Sequence, residues 1–239
     1  MNYPSHSNGV TVWPELDSSP KANFDPIARP YRWLEYLTFG PYLERCRFHF
    51  LNQLSTHRRA LVLGDGDGRF TARLLAANPQ IVIDAVDSSA AMLKLLAERV
   101  SRLGHPAEER LKTIHSDALA FKPELPGYDL VVTHFFLDCL TDQKLATLLA
   151  NLQPSLAPET TWLVSEFAIP RRQPAALVAR LVIATLYRAF RTLTGLRVQK
   201  LPDYESVFLR NGFALSGQKT FLVGLLVTQL WQLGSAPKN

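Results

Sequence analysis

The sequence predicts a doubly wound α/β domain with a mostly parallel sheet of seven strands. Three observations predict it. From Ala60 onward, short apolar runs typical of buried strands alternate with segments whose apolar residues recur at helical spacing. A glycine-rich loop follows the first apolar run, and the chain closes with two apolar segments that fit an antiparallel hairpin. Such alternation forms βαβ units, with parallel strands and helices on both faces.

The individual elements follow in order. The predicted strands are ALVLG, IVIDAVD, LKTIHSD, YDLVVTH and TTWLVSEF, and the helices between them are RFTARLLAAN, SAAMLKLLAERVSRL and DQKLATLLANL. Gly104 and Pro154 are stop signals for the second and third of these helices. Residues 201–233 predict a short helix that ends at Asn211-Gly212, followed by two strands joined by a turn.

We expect one folded domain over residues 24–239. Residues 1–23 are rich in Pro, Ser, Asn and charge without a sustained period, which predicts a flexible or irregular tail. Residues 24–57 predict an aromatic helical lobe that covers part of the domain, and residues 172–194 predict an inserted amphipathic helix with a basic face.

The amino-acid composition limits the kinds of partner and ligand that we expect. The 239 residues carry a net charge of +5, but Lys and Arg are spread along the chain, so nucleic acid is not a favoured partner. Cys46 and Cys139 are far apart and fit neither a disulfide framework nor a zinc site, so no metal is predicted. The chain shows neither a secretory leader nor an apolar run of about 18 residues, and we expect a soluble, cytoplasmic protein.

The loop GDGDG, residues 64–68, lies where a parallel sheet binds its ligand, after a strand and before a helix. Its spacing departs from the dinucleotide pattern G-x-G-x-x-G, since Arg69 occupies the position of the third glycine, and no Gly-Lys-Ser/Thr of a P-loop follows. Asp65 and Asp67 would also repel a pyrophosphate. A zwitterionic or cationic ligand fits the loop better.

This loop resembles motif I of the class I S-adenosylmethionine-dependent methyltransferases, which have a Rossmann-like fold. Further matches come in the expected order: Asp87 after the second strand, Asp117 after the third, and YDLVVTHFFLDCL as the fourth strand and its loop. The resemblance implies that Asp87 accepts from the ribose hydroxyls, Asp117 from the adenine amino group, and that Ser88 and Met92 flank the adenine. The predicted cofactor-binding residues are Tyr31, Gly64, Asp65, Gly66, Gly68, Asp87, Ser88, Met92, Asp117, Ala118 and Thr133.

Two local features refine this resemblance. The stretch FDPIARPYRWLE is similar to the entry segment of the quinone C-methyltransferase-like group, in which a tyrosine at the place of Tyr31 closes over the cofactor. Members of the family commonly carry an acid two residues before the first glycine, where this chain has Val62. Either Asp65 or Asp67 substitutes for that acid, or the cofactor binds more weakly.

His134 is the predicted catalytic base, because it follows the fourth strand in the loop that faces the transferred methyl group in this fold. Asp138, four residues later, is predicted to orient it. The alternatives are that His134 only lines the pocket and that Asp138 caps a helix.

The same loop bears on the acceptor. The stretch THFF lacks the N/D-P-P-Y elements with which this fold holds amino groups of nucleobases or glutamine. This absence favours a small apolar or aromatic acceptor methylated at oxygen or carbon.

The alternative functions are a non-catalytic S-adenosylmethionine-binding protein and an RNA methyltransferase. The inserted helix would roof the acceptor pocket or pack on the core, and peripheral membrane contact through residues 174–193 is a less favoured alternative. The sequence does not predict the oligomeric state.

Overall fold

The structure is a computed structural model that describes residues 41–123, 126–170 and 202–234. The predicted tail, the inserted helix and Tyr31 lie outside the described residues, as does the first part of the predicted aromatic lobe. Those expectations therefore stay predictions.

Seven strands are present in the described residues, and they form one sheet. They are β1 (Arg59–Leu63), β2 (Val82–Asp87), β3 (Leu111–His115), β4 (Tyr128–His134), β5 (Leu156–Phe167), β6 (Phe213–Phe221) and β7 (Leu226–Leu233). Their order is β3-β2-β1-β4-β5-β7-β6. The first five strands pair in parallel, whereas β7 pairs antiparallel with both β5 and β6. The predicted mostly parallel sheet with a C-terminal antiparallel hairpin is confirmed.

Six α-helices accompany the sheet in the described part of the chain: α1 (Tyr42–Phe48), α2 (Arg69–Ala77), α3 (Ala90–Ser101), α4 (His105–Glu108), α5 (Asp142–Leu152) and α6 (Tyr204–Arg210). Short 3-10 helices lie at Leu51–Leu54, Leu137–Cys139, Gln153–Ser155 and Leu222–Gly224. Side-chain oxygens cap the N-termini of two of these helices. The hydroxyl of Ser89 accepts the Met92 N–H, and that of Thr141 accepts the Lys144 N–H. None of the described helices has the length and apolar character needed to cross a membrane.

Two apolar layers enclose the sheet, one on each face. Along β1, Leu61 and Leu63 pack into the layer that holds Trp162, whereas Ala60 and Val62 pack into the layer that holds Phe70. Because both faces are buried, β1 is apolar along nearly its whole length instead of alternating between apolar and polar residues.

The strand order determines which edge of the sheet can bind a ligand. β1 pairs with β2 on one side and with β4 on the other, so successive connections leave β1 in opposite directions. Such a switch point leaves a crevice beyond the carboxyl ends of the strands. The GDGDG loop and the loop after β4 both begin at this crevice.

Candidate active site

A cavity of about 230 Å³ lies at this switch point. Loops after β1, β2, β3 and β4 contribute to its wall, and α1 contributes one residue. Of the predicted site residues, the structure brings together Gly64, Asp65, Gly66, Asp87, Ser88, Met92, Asp117, Ala118 and His134. Gly68, Thr133 and Asp138 are described but are not among the residues that line this cavity.

The glycines of the loop serve two different purposes. Gly64 has a φ of +67°, and a Cβ there would lie 2.5 Å from the ring of Phe136, which is part of the cavity wall. Gly68 has a φ of +75°, and its Cβ would lie 2.7 Å from the backbone Cα of Leu96 in α3. Gly64 therefore permits a close cavity wall, whereas Gly68 permits the packing of α3 against the loop.

The two aspartates of the loop differ in their partners. Asp67 accepts hydrogen bonds from Arg69 Nε at 3.0 Å and from Arg99 Nη2 at 2.7 Å, which ties the loop to α2 and α3. Asp65 is buried, and its Oδ2 accepts the backbone N–H of Thr71 at 2.8 Å. Within the described residues, Oδ1 of Asp65 has no hydrogen-bond partner. Asp65, and not Asp67, is among the residues that line the cavity.

Asp87 and Asp117 each organise the loop in which they lie. Oδ1 of Asp87 accepts the backbone N–H of Ser89 at 2.9 Å, and Oδ1 of Asp117 accepts that of Leu119 at 3.0 Å. These bonds hold both carboxyl groups at the cavity wall. Met92 also lines the cavity, and its side chain is almost fully buried. The cavity wall therefore contains both carboxyl acceptors and an apolar side chain.

His134, the last residue of β4, lines the cavity but is only 3% exposed. Its ring contacts Phe70 edge to face, with 4.4 Å between the ring centroids. Neither ring nitrogen has a hydrogen-bond partner in the described part of the chain. Burial, and then the positive charge of Arg47, hold the pKa of His134 well below its usual value of 6.5. Both effects favour the neutral form of the imidazole.

Asp138 does not orient His134 among the residues described, since no hydrogen bond joins the two. Oδ1 of Asp138 instead accepts from the Cys139 thiol at 3.5 Å. Burial raises the pKa of Asp138 to about 6. Its electrostatic neighbour is Glu166 on β5, whose own pKa is raised far above the ordinary value by burial and then by Asp138.

Thr133 also differs from its expected place. Its hydroxyl accepts the indole N–H of Trp162 at 3.0 Å, and its side chain is fully buried. Since successive side chains of a strand alternate between the faces of the sheet, Thr133 faces the opposite way from His134. It supports the core beside the cavity and does not line it.

Sequence reasoning missed Arg47, which lines the cavity from α1 and is 5% exposed. Its guanidinium carbon lies 5.7 Å from the ring centroid of Phe135. A signal was present, because Leu43, Cys46 and Arg47 share the helical spacing of a buried stripe and are the buried residues of α1. An arginine on such a stripe needs a polar environment. Lys144 and Cys139 also line the cavity without having been predicted.

Comparisons with known proteins identify a related family, a similar curated protein and solved structures with the same fold. Residues 61–161 match a family model described as a methyltransferase domain. Among curated proteins, demethylmenaquinone methyltransferase of Chlamydia pneumoniae is 26% identical over an alignment of 233 residues, and the match covers 89% of this chain and 94% of that protein.

Three solved structures show the same fold. Mitomycin 7-O-methyltransferase MmcR has a TM-score of 0.65 at 14% identity over 89% of this chain and 61% of its own length. A putative O-methyltransferase of Nostoc punctiforme has a TM-score of 0.65 at 21% identity over 87% of this chain and 59% of its own. The N-methyltransferase NodS of Bradyrhizobium japonicum, in complex with S-adenosylhomocysteine, has a TM-score of 0.54 at 17% identity over 80% of this chain and 87% of its own. This chain spans about three fifths of the length of the first two structures.

Proposed function

We propose that this chain, whose residues 61–161 match a family model described as a methyltransferase domain, transfers a methyl group from S-adenosylmethionine to oxygen or carbon of a small apolar or aromatic acceptor. The observation that carries the proposal is the convergence of three carboxyl groups on one cavity. Asp65 and Asp117 follow β1 and β3, Asp87 is the last residue of β2, and all three line the same crevice. Carboxyl groups offer acceptor oxygens, so this wall suits a ligand rich in donors.

S-adenosylmethionine has donors that match this wall. In our proposal Asp87 accepts from the two ribose hydroxyls, Asp117 accepts from the adenine amino group, and Met92 and Ser88 flank the adenine ring. The buried Oδ1 of Asp65, which lacks a protein partner in the described residues, calls for a further donor from the ligand. A dinucleotide fits less well, since its pyrophosphate would meet the acidic loop. The N-methyltransferase NodS has been solved with S-adenosylhomocysteine, which supports this cofactor.

The acceptor class is proposed from the remaining wall. Phe135, Phe136 and Leu140 give the β4 side of the cavity an apolar surface. The relative from C. pneumoniae is named for demethylmenaquinone, and two of the similar structures are named as O-methyltransferases. These names support an acceptor with apolar or aromatic character and methylation at carbon or oxygen.

His134 is our candidate for the base. When S-adenosylmethionine is bound, it supplies a methyl group on a sulfonium that an aligned nucleophile displaces. A hydroxyl or an acidic carbon must lose a proton during that attack. The neutral imidazole of His134 lines the cavity and has no hydrogen-bond partner among the described residues, so it can take this proton.

Calorimetric titration with S-adenosylhomocysteine tests the cofactor assignment. Asp87→Ala removes the acceptor for the ribose and should weaken binding tenfold or more. Asp87→Asn keeps an oxygen that can accept the Ser89 N–H but removes the negative charge. Comparing it with Asp87→Ala therefore separates the effect of losing the loop contact from the effect of losing the charge. Unchanged affinity in Asp87→Ala would refute the ribose assignment.

Two further measurements complete the test. A thermal-shift screen should show stabilisation by S-adenosylhomocysteine and none by NAD or NADP. Phenols, quinols and small carboxylic acids should then be screened with labelled methyl donor. Binding without turnover of any acceptor would favour a non-catalytic S-adenosylmethionine-binding protein. Stabilisation by NAD alone would overturn the proposed function.

A further inference from the structure

An exposed histidine links the loops that follow β2 and β3. His115 is the last residue of β3, and its register partner on β2 is Asp87. Nε2 of His115 lies 3.0 Å from the carbonyl oxygen of Ser88. Because a carbonyl oxygen can only accept, Nε2 carries the hydrogen of this bond and donates it. His115 therefore holds the backbone of a residue that lines the cavity, although its own side chain is not among the lining residues.

The peptide group between Ser88 and Ser89 is held at both ends. Its carbonyl oxygen accepts from His115, and its N–H donates to Oδ1 of Asp87 at 2.9 Å. The imidazole, this peptide group and the carboxyl group of Asp87 therefore form a chain of hydrogen bonds. In such a chain each bond polarises the next, so the donor at the carbonyl oxygen strengthens the bond from the N–H. Rotation of the peptide plane would break both bonds at once.

The backbone is anchored on both sides of this peptide group. The N–H of Ser116 donates to the carbonyl oxygen of Asp87 at 3.1 Å, which joins the ends of β2 and β3. On the other side, the hydroxyl of Ser89 accepts the Met92 N–H at 3.1 Å and starts α3. His115 adds a side-chain contact to the peptide plane between these two anchors, and the carboxyl group of Asp87 is bonded to that same plane.

We propose that His115 is a positioning residue for the methyl donor, because it orients the carboxyl group of Asp87 through the peptide group between Ser88 and Ser89. The inference rests on the proposed function, which assigns the ribose hydroxyls to Asp87. His115 does not touch the ligand and takes no part in the transfer. A carboxyl group that already has its binding orientation loses less freedom when the ligand arrives. His115 therefore adds affinity without adding a contact to the ligand.

The exposure of His115 separates its effect on binding from its effect on stability. An exposed hydrogen bond contributes little to folding, since water replaces the lost partner. His115→Met keeps a similar length but removes the donor, whereas His115→Gln keeps an amide donor. Thr113 is also exposed and lies two residues earlier on the same face of β3, so Thr113→Ala is the matched control. All three variants should melt within about 2 °C of the parent.

Calorimetric titration with S-adenosylhomocysteine measures the effect on affinity. His115→Met should weaken binding about three- to tenfold. His115→Gln should restore most of the affinity, because its amide can donate to the carbonyl oxygen of Ser88. Thr113→Ala should bind like the parent. A residue with a purely structural role would instead change the melting temperature and the affinity together.

Hydrogen exchange of the Ser89 amide provides a measurement that needs no ligand. In the parent this N–H is bonded to Asp87, and the bond is supported from the other end of the peptide group by His115. His115→Met should therefore speed the exchange of this amide, while amides in the middle of β1 exchange as in the parent. His115→Gln should restore the slower exchange. An unchanged exchange rate in His115→Met would overturn the inference.

A double-mutant cycle tests whether His115 acts through Asp87. In the Asp87→Ala background the carboxyl group that His115 orients is absent, so His115→Met should change the affinity for S-adenosylhomocysteine by less than about twofold. Independent effects of the two substitutions, in which His115→Met weakens binding by the same factor in both backgrounds, would overturn the inference.

The outcomes distinguish this inference from the proposed function. A parent protein that does not bind S-adenosylhomocysteine would refute the proposed function and the inference with it. A parent that binds this ligand and loses affinity in Asp87→Ala, while His115→Met binds like the parent, would overturn the inference alone. Weaker binding in His115→Met that His115→Gln does not restore would also overturn it, because the donor would then not be what matters.

Discussion

The carboxyl group of Glu166 accepts the backbone N–H of Leu137 at 2.7 Å. The same oxygen accepts the N–H of Phe136 at 3.0 Å. Glu166 belongs to β5 and is almost fully buried, whereas Phe136 and Leu137 form the turn after β4. The cavity wall that Phe136 provides is therefore anchored to the neighbouring strand, and Glu166 is a positioning residue that sequence reasoning missed.

Glu166→Ala should destabilise the protein, because it leaves two backbone N–H groups in the turn without their acceptor. Each such loss costs about 1 to 3 kcal/mol. Glu166→Gln retains an acceptor oxygen and should lose much less. Urea denaturation of both variants measures the difference in the free energy of unfolding. Equal stability of the Ala and Gln variants would show that the turn does not depend on this oxygen.

Asp138 and Glu166 make stability depend on pH, because both are buried carboxyl groups with raised pKa values. A carboxyl group whose pKa is raised in the folded state favours folding while protonated. Its contribution is complete below the unfolded pKa, near 3.8 for Asp138, and is lost as pH rises through the folded value of about 6.

Asp138→Asn should therefore gain stability relative to the parent as the pH rises from 4 to 7. The gain should be on the order of 2 to 3 kcal/mol and should level off above the folded pKa. Asn remains able to accept from the Cys139 thiol, so this contact is retained. Denaturation curves at several pH values measure the effect. A difference between the two proteins that stays constant with pH would contradict the assignment.

Much of the fold and part of the site could be predicted from sequence because the signals are local. The β strands are recognisable as apolar runs, and Gly64, Asp87 and Asp117 lie at or just after strand ends that a parallel sheet gathers at one edge. Arg47 could not be placed in this way. Its contact with the cavity depends on how α1 packs against the sheet, which no local pattern specifies.

The expected contact between His134 and Asp138 failed for a definable reason. It assumed helical neighbours four residues apart. His134 is instead the last residue of β4, Phe135 takes a φ of +53°, and the short 3-10 helix begins only at Leu137. The chain between the two residues is therefore not helical, and Asp138 lies near Glu166 instead of His134.

Two glycine substitutions should separate stability from ligand binding. Gly68→Ala would place a Cβ against the backbone of Leu96, which cannot move without shifting α3, and should lower stability by several kcal/mol. Gly64→Ala would meet the ring of Phe136, a side chain of the cavity wall. It should strongly weaken the binding of S-adenosylhomocysteine and lower the melting temperature only slightly. Thermal melts and calorimetry on both variants provide the comparison, and identical profiles for the two would refute this division.

His134 as a base and His134 as a passive wall residue lead to different kinetic results. A base must be neutral to act, so kcat/KM should rise with pH through the pKa of His134 and be level by neutral pH, since burial and Arg47 hold that pKa below 6.5. Arg47→Met removes one of those causes and should raise the pKa of His134. An NMR titration of the imidazole measures this pKa without any methyl acceptor.

His134→Ala should lower turnover by about 10² to 10⁴ while the affinity for S-adenosylhomocysteine stays near that of the parent. His105→Ala, at an exposed histidine of α4 that pairs with Glu109, is the matched control and should leave turnover unchanged. Turnover of His134→Ala within about threefold of the parent, with the same pH profile, would leave alignment of the acceptor as the main source of rate.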